Sequence, residues 1–328
     1  MRFRPWILVG LVAVAPLNVR GAGQLAQTYP APGKLIDLGG RKLHLFCSGA
    51  GGPTVILMAG GGAFSIDWAL VQPPVAKTTR VCSYDRAGLA WSDSGPADET
   101  VEQTISDLHA LLTSSGEKEP YLLVGASIGG IYIRAYQHAF PEEVAGLVFT
   151  NSSNQVGTSV KGKVSLIWEL PEEDIRSVFP LPPSAKGPAP TREGEPFDRL
   201  PAELRSLRLW LDVRLWEKRD PAKAGPASLL SWRKEFLREF EETDAGHQLP
   251  LAETPVIVVS SGPVAVQSDR ESRSSAAARL DFLSSNTLHV TATGSGHEIH
   301  LYQPDSVVQA VVRAVTAVRT RSPLASPR

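Results

Sequence analysis

The most constraining feature of this 328-residue sequence is an apolar run that ends in a glycine-framed serine. Tyr121 to Val124 reads as a short strand. Gly125-Ala126-Ser127-Ile128-Gly129-Gly130 reads as a turn, and the residues from there to Phe140 as a helix. In a Gly-x-Ser-x-Gly bend the glycines are needed because the turn is too tight for side chains beside the serine. With a strand before it and a helix after it, the bend would hold the Ser127 hydroxyl out at the carboxyl edge of a sheet. The Ile128 N–H, at the positive end of the helix, would then point at a substrate oxygen. The competing reading is an ordinary glycine turn capped by a serine.

The rest of the chain supplies a setting for such a bend. Gly33 to Cys47 reads as a hairpin turning at Gly39-Gly40. Thr54 to Met58 is a continuous apolar run, as expected of a strand covered on both faces. Arg80 to Tyr84, Val144 to Thr150, Pro255 to Ser260 and Leu288 to Ala292 read as further strands. Between them, Ser65 to Lys77 reads as a helix interrupted or ended by Pro73-Pro74. Thr100 to Ser115, Glu271 to Ser284 and Pro304 to Val318 read as helices, with capping groups for the first of these at Asp98 to Thr100. Strands alternating with helices imply an α/β fold with a mostly parallel sheet and helices on both faces. From 152 to 253 the pattern changes to tryptophans, a Pro-rich stretch and charged helical runs. This segment reads as a helical cap inserted between two parts of the core, 33–151 and 254–318, or as a linker. Residues 319–328 read as a frayed, disordered tail.

A serine hydroxyl becomes nucleophilic only when a neighbouring base accepts its proton. The base is expected on the last strand-to-helix loop. His297 stands there, in Gly294-Ser295-Gly296-His297-Glu298. His300 reads as start-of-helix packing, and His44, His109, His138 and His247 as structural.

Four segments together resemble the α/β-hydrolase superfamily, in its bacterial esterase, lipase and peptidase-like branch. They are Val55 to Gly62, Arg80 to Gly88 with Trp91-Ser92, Tyr121 to Ser127, and Gly294 to His297. The resemblance implies the α/β-hydrolase fold and an oxyanion hole made by the backbone N–H groups of Gly61 and Ile128. It implies a structural, buttressing role for Asp85 to Gly88, and strands carrying Cys47 and Cys82 side by side, within reach of a disulfide. It also implies a triad in the order Ser, acid, His. Asp269 is the first carboxylate after the strand at Pro255 to Ser260 and is the expected acid, with Glu271 behind it. The alternative acid position, at the end of the Val144 to Thr150 strand, holds Asn151. An amide can orient an imidazole but cannot stabilise its charge as a carboxylate does. Two further departures are Ala126, where relatives often carry His, and Ala59-Gly60 in place of His-Gly.

The function classes can be narrowed further. Lys plus Arg (33) nearly balances Asp plus Glu (34), which removes any electrostatic reason to expect nucleic acid as a partner. The histidines lack metal-ligand spacing, and neither Cys-x-x-Cys nor a well-placed Gly-x-Gly-x-x-Gly occurs, so no cofactor or metal is expected. Residues 1–23 carry Arg2 and Arg4, an apolar run from Ile7 to Leu17, and the small residues Gly21 to Gly23. They read as a secretory signal peptide, or as an N-terminal anchor giving membrane association; both make the chain an exported one. The expected activity is Ser-His-acid hydrolysis of a small-molecule ester or related acyl bond through an acyl-enzyme. The rivals are a catalytically degenerate binding protein and an acyltransferase or aminopeptidase of the same fold. Haloalkane dehalogenation is disfavoured, because it uses a carboxylate nucleophile where Ser127 stands.

Overall fold

The computed structural model describes residues 29–95, 100–152, 157–160, 163–166, 194–218, 231, 234, 235, 238, 251–261 and 283–324. For 157–160, 163–166, 217 and 218 it describes the backbone alone. The chain divides into two compact units, Met1–Pro30 and Ala31–Arg328, and the elements below belong to the second. The leader expected over 1–23 lies outside the described residues. Among the described residues no helix is long and apolar enough to cross a membrane.

The strands are β1 (Lys34–Asp37), β2 (Lys42–Ser48), β3 (Thr54–Met58), β4 (Val81–Tyr84), β5 (Tyr121–Ala126), β6 (Val144–Thr150), β7 (Gly157–Val160), β8 (Lys163–Leu166), β9 (Val256–Ser261) and β10 (Thr287–Ala292). Eight form one sheet in the order β1-β2-β4-β3-β5-β6-β9-β10, and β7 and β8 form a separate antiparallel pair. From β4 to β10 all neighbours are parallel, while β1 and β2 run antiparallel at one edge. This is the α/β-hydrolase fold. The carboxyl ends of β3, β4, β5, β6, β9 and β10 therefore open on one side of the sheet, where ligands of open α/β sheets bind.

The helices are α1 (Gln72–Val75), α2 (Val101–Ser115), α3 (Gly129–Ala139), α4 (Ala202–Lys218), α5 (Ile299–Tyr302) and α6 (Pro304–Thr320). Side chains alternate across each central strand, so the sheet feeds two cores. Ile56, Met58, Leu123, Leu147 and Phe149 face the layer of α2 and α3. Val55, Leu57, Val124, Val148 and Ile257 face α6, whose Val307, Ala310, Val311, Ala314 and Val315 recur at helical spacing and are buried. Each fully buried valine here contributes roughly 1.5–3 kcal/mol.

Several elements differ from the sequence-based expectation. The helix expected over Ser65 to Lys77 is two short pieces, a 3-10 turn at Ser65–Trp68 and α1, because Pro73 and Pro74 fit only a helix's first turn. The tail expected from 319 is ordered as far as Leu324. Arg319 donates to the carbonyls of Gly52 and Thr78, and the Leu324 N–H donates to Asn286 Oδ1. Of the helix expected over Glu271 to Ser284, only Leu283 and Ser284 are described, and neither is helical. The cap range, 152–253, is described only in part. Its described pieces are β7, β8, a 3-10 turn at Phe197–Arg199, α4, and the single positions 231, 234, 235 and 238.

Cys47 and Cys82 face each other directly across the antiparallel β2–β4 pair and form a disulfide. The bridge closes a loop of sequence separation 35. A Cys47→Ser/Cys82→Ser double variant is expected to lose roughly 2–4 kcal/mol of stability in urea unfolding. An unchanged unfolding midpoint would show that the bridge does not restrain the unfolded chain.

Candidate active site

Ser127 sits between β5 and α3 with φ at +53°, in the left-handed region. A non-glycine residue there is uncommon, and persists only where the surroundings fix it. Two glycines do the fixing. A Cβ on Gly125 would stand 2.5 Å from the Gly129 carbonyl oxygen, and one on Gly129 would stand 2.5 Å from that of Met58. The bend is thus as tight as its sequence implies. The Ser127 N–H donates to the Thr150 carbonyl at 3.1 Å, and the Ser152 hydroxyl donates to the Ser127 carbonyl at 3.3 Å.

The glycine loop after β3 lies against this bend. A Cβ on Gly60 would stand 3.2 Å from Ser127 Cβ and 3.9 Å from its Oγ. Two buried arginines hold the loop's carbonyls. Arg86 donates to the carbonyls of Ala59, at 2.6 Å, and Gly60, at 2.9 Å, with its guanidinium over the Tyr132 ring. Arg208, from α4, donates to the Gly62 carbonyl at 3.3 Å and to Asp67 Oδ1 at 2.8 Å. It also pairs with Asp212 and lies over the rings of Phe64 and Phe197. With the carbonyls turned to the arginines, the N–H of Gly61 and that of Ile128 have no backbone acceptor among the described residues. Asp85, on the loop after β4, is fully engaged underneath. It accepts from the Ser65 N–H and hydroxyl and pairs with His44 Nδ1 at 2.6 Å. His44 and Asp85 are both buried, so this group braces the loop and is closed to substrate.

His297 follows β10 on the Gly294 to Glu298 loop and lines the same small cavity as Ser127, Gly60, Gly61 and Ala126. Asp269 and Glu271, the expected acids, lie outside the described residues. Asn151, just past β6 at φ +43°, is bonded to the His297 ring. Its Nδ2 is 3.0 Å from His297 Nδ1 and donates to the His297 carbonyl at 3.1 Å, while its Oδ1 accepts from the Ser261 hydroxyl. A carbonyl only accepts, so it fixes the amide nitrogen on the histidine side. Nδ1 is then the acceptor of the pair.

Three lining residues were given no role at the site by sequence. Asp67 is buried; desolvation raises its carboxyl above the usual range, against the pull of Arg208. Phe197 comes from the cap range and forms an apolar wall. His300, expected to be packing, does pack, 4.7 Å from the Trp68 ring, yet it also lines the cavity. Burial, with His297 beside it, pushes its imidazole down to about 3. Asp67 and Arg208 had no sequence signal, since their pairing spans 141 positions. His300 had a weak one, standing three positions after His297.

Comparison with known proteins decides the family. Residues 45–310 match the model of the "Alpha/beta hydrolase family". The chain belongs to that family. Among curated relatives it is 34% identical over 129 residues to a probable transporter, efuK, of Hormonema carpetanum, covering 37% of this chain and 18% of that one. It is 21% identical over 303 residues to the protein YbdG of Bacillus subtilis, covering 88% and 86%. Among solved structures, a thermophilic esterase from Thermogutta terrifontis superposes with a TM-score of 0.59 at 21% identity, over 85% of this chain and 94% of that one. That likeness shows the fold. The chain spans less than a fifth of the first curated relative and most of the second.

Two predictions follow from the geometry of this hydrolase-family site. Arg208→Met would leave Asp67 and Asp212 buried without their partner, and is expected to cost about 3–5 kcal/mol in urea unfolding. Adding Asp67→Asn and Asp212→Asn should restore most of it; a single variant as stable as the parent would refute the pairing. The second concerns pH. A histidine ordinary when unfolded and lowered to about 3 when folded binds its proton in the unfolded state first. Stability is therefore lost as pH falls from about 6.5 towards 3, by up to about 1.4 kcal/mol per pH unit. His300→Gln should flatten that loss in Tm measured across pH 4–7, and parallel curves for the two proteins would exclude it.

Proposed function

We propose that this chain is a serine hydrolase acting on carboxylic esters of small molecules. Ser127 attacks the carbonyl carbon, and His297 Nε2 takes the hydroxyl proton and returns it to the leaving alcohol. Water, activated by the same imidazole, releases the acid. The N–H groups of Gly61 and Ile128 receive the oxyanion; a single such donor is worth about 2.7–4 kcal/mol. The observation that carries this reading is a serine held in left-handed backbone at the mouth of one cavity that also contains a loop histidine. The esterase among the similar folds supports the choice of ester bond. In this reading the N-terminal residues 1–23 direct export.

One observation favours a slower enzyme, and at its limit a binding protein of the same fold. An amide donating to Nδ1 favours the imidazole tautomer with its proton on Nε2, the nitrogen needed as base, over the one a carboxylate would favour. An amide in place of the triad carboxylate costs a triad on the order of 10⁴ in rate. We assign Asn151 as a residue positioning His297; Asp269, the expected acid, lies outside the described residues.

The test is the rate of fluorophosphonate labelling, read with kcat/KM on p-nitrophenyl butanoate. The parent is labelled, while Ser127→Ala and His297→Ala are not. Asn151→Asp is expected to raise both rates by about 10²-fold or more, with the pH profile following the imidazole. If Asp269→Ala abolishes labelling while Asn151→Asp changes nothing, Asp269 is the acid. Equal labelling of parent and Ser127→Ala removes the nucleophile.

A further inference from the structure

We infer that His300 is a specificity-determining residue of this cavity, hydrogen-bonding an uncharged hydroxyl or carbonyl group that the substrate carries beside its reacting carbonyl. The inference rests on the reading of Ser127 as nucleophile and adds to it the class of ester taken.

His300 is only 6% exposed, and what remains exposed faces the cavity that Ser127 and His297 share. The ring lies against Trp68 at 4.7 Å, tilted by 36°, which fixes its plane. Its nitrogens make no hydrogen bond with any described residue. Neither nitrogen is among the side-chain atoms sealed away from solvent without a partner, so a group in the cavity can reach them. A neutral imidazole offers one donor and one acceptor, so a hydroxyl or a carbonyl would satisfy it.

The other polar side chains around the cavity narrow the choice. Asp67 is committed on both oxygens, to Arg208 and to the Phe64 N–H. His297 is held by Asn151. Glu298 and Asp67 both bring acidic groups to the lining, which disfavours an anionic substrate group. His300 supplies no opposing charge, since burial beside His297 keeps it neutral through the ordinary pH range. Phe197 offers the apolar surface against which the carbon chain would lie. A site built to bond a hydroxyl discriminates strongly against an analogue without one, because its own buried group is then left unpaired.

The experiment compares matched esters on the full chain: p-nitrophenyl butanoate with p-nitrophenyl 3-hydroxybutanoate, and ethyl butanoate with 2-hydroxyethyl butanoate. The first pair places the hydroxyl on the acyl side, the second on the alcohol side. The parent is expected to prefer the hydroxylated member of at least one pair by about tenfold or more in kcat/KM. His300→Phe keeps an aromatic ring against Trp68 and removes the nitrogens; it should bring that ratio near one. His300→Gln, which still donates and accepts, should keep most of it, and Tm values of all three show whether they fold. Parent ratios near one for both pairs, or an unchanged ratio in His300→Phe, overturn the inference. In those cases continued fluorophosphonate labelling of Ser127 leaves the hydrolase reading standing. No labelling and no turnover of any ester overturn both.

Discussion

The bend at Ser127 is the constraint on which the rest of this structure depends. A serine in left-handed backbone between a parallel strand and a helix is held there only because nothing occupies the space at Gly125 and Gly129. That bend fixes the start of α3, brings the glycine loop after β3 against the serine, and aims the hydroxyl to the side where six strands end. The sheet supplies the rigidity: the strands on either side of β5 are buried along most of their length and feed both cores.

Around that point the protein uses polar groups where an apolar core could not give direction. Arg86 and Arg208 grip the carbonyls of Ala59, Gly60 and Gly62 from two sides. A guanidinium presents donors in a fixed fork, so it orients a loop that has no side chains of its own to pack. Arg208 comes from α4, and its ion pair with Asp67 ties that helix to the wall of the cavity. Partner and loop share one network, so changes in α4 would reach the backbone of the glycine loop.

The same economy of partners explains the unusual histidine environment. Asn151 serves the His297 ring, the His297 carbonyl and the Ser261 hydroxyl at once. A carboxylate at that position could not donate to the carbonyl, so the amide secures the loop.

Much of this was written in the chain. Short apolar runs marked the eight strands of the main sheet to within two residues, though not β7 and β8, and the glycine–serine spacing marked the bend, because both are local consequences of backbone geometry. The family resemblance correctly set Cys47 opposite Cys82. Local reading failed where local rules compete, as at Pro73-Pro74, which divide an expected helix, and at Arg319 to Leu324, whose order comes from Gly52, Thr78 and Asn286 far away in sequence. What the sequence by itself determined was the fold and the place of Ser127 and His297, since periodicity and steric need for glycine act over a few residues. What only the tertiary structure decided was that Asn151 meets the His297 ring, which arginines hold the glycine loop, and that His300 lines the cavity. Those are contacts between residues tens to well over a hundred positions apart, and the packing of distant elements alone selects them.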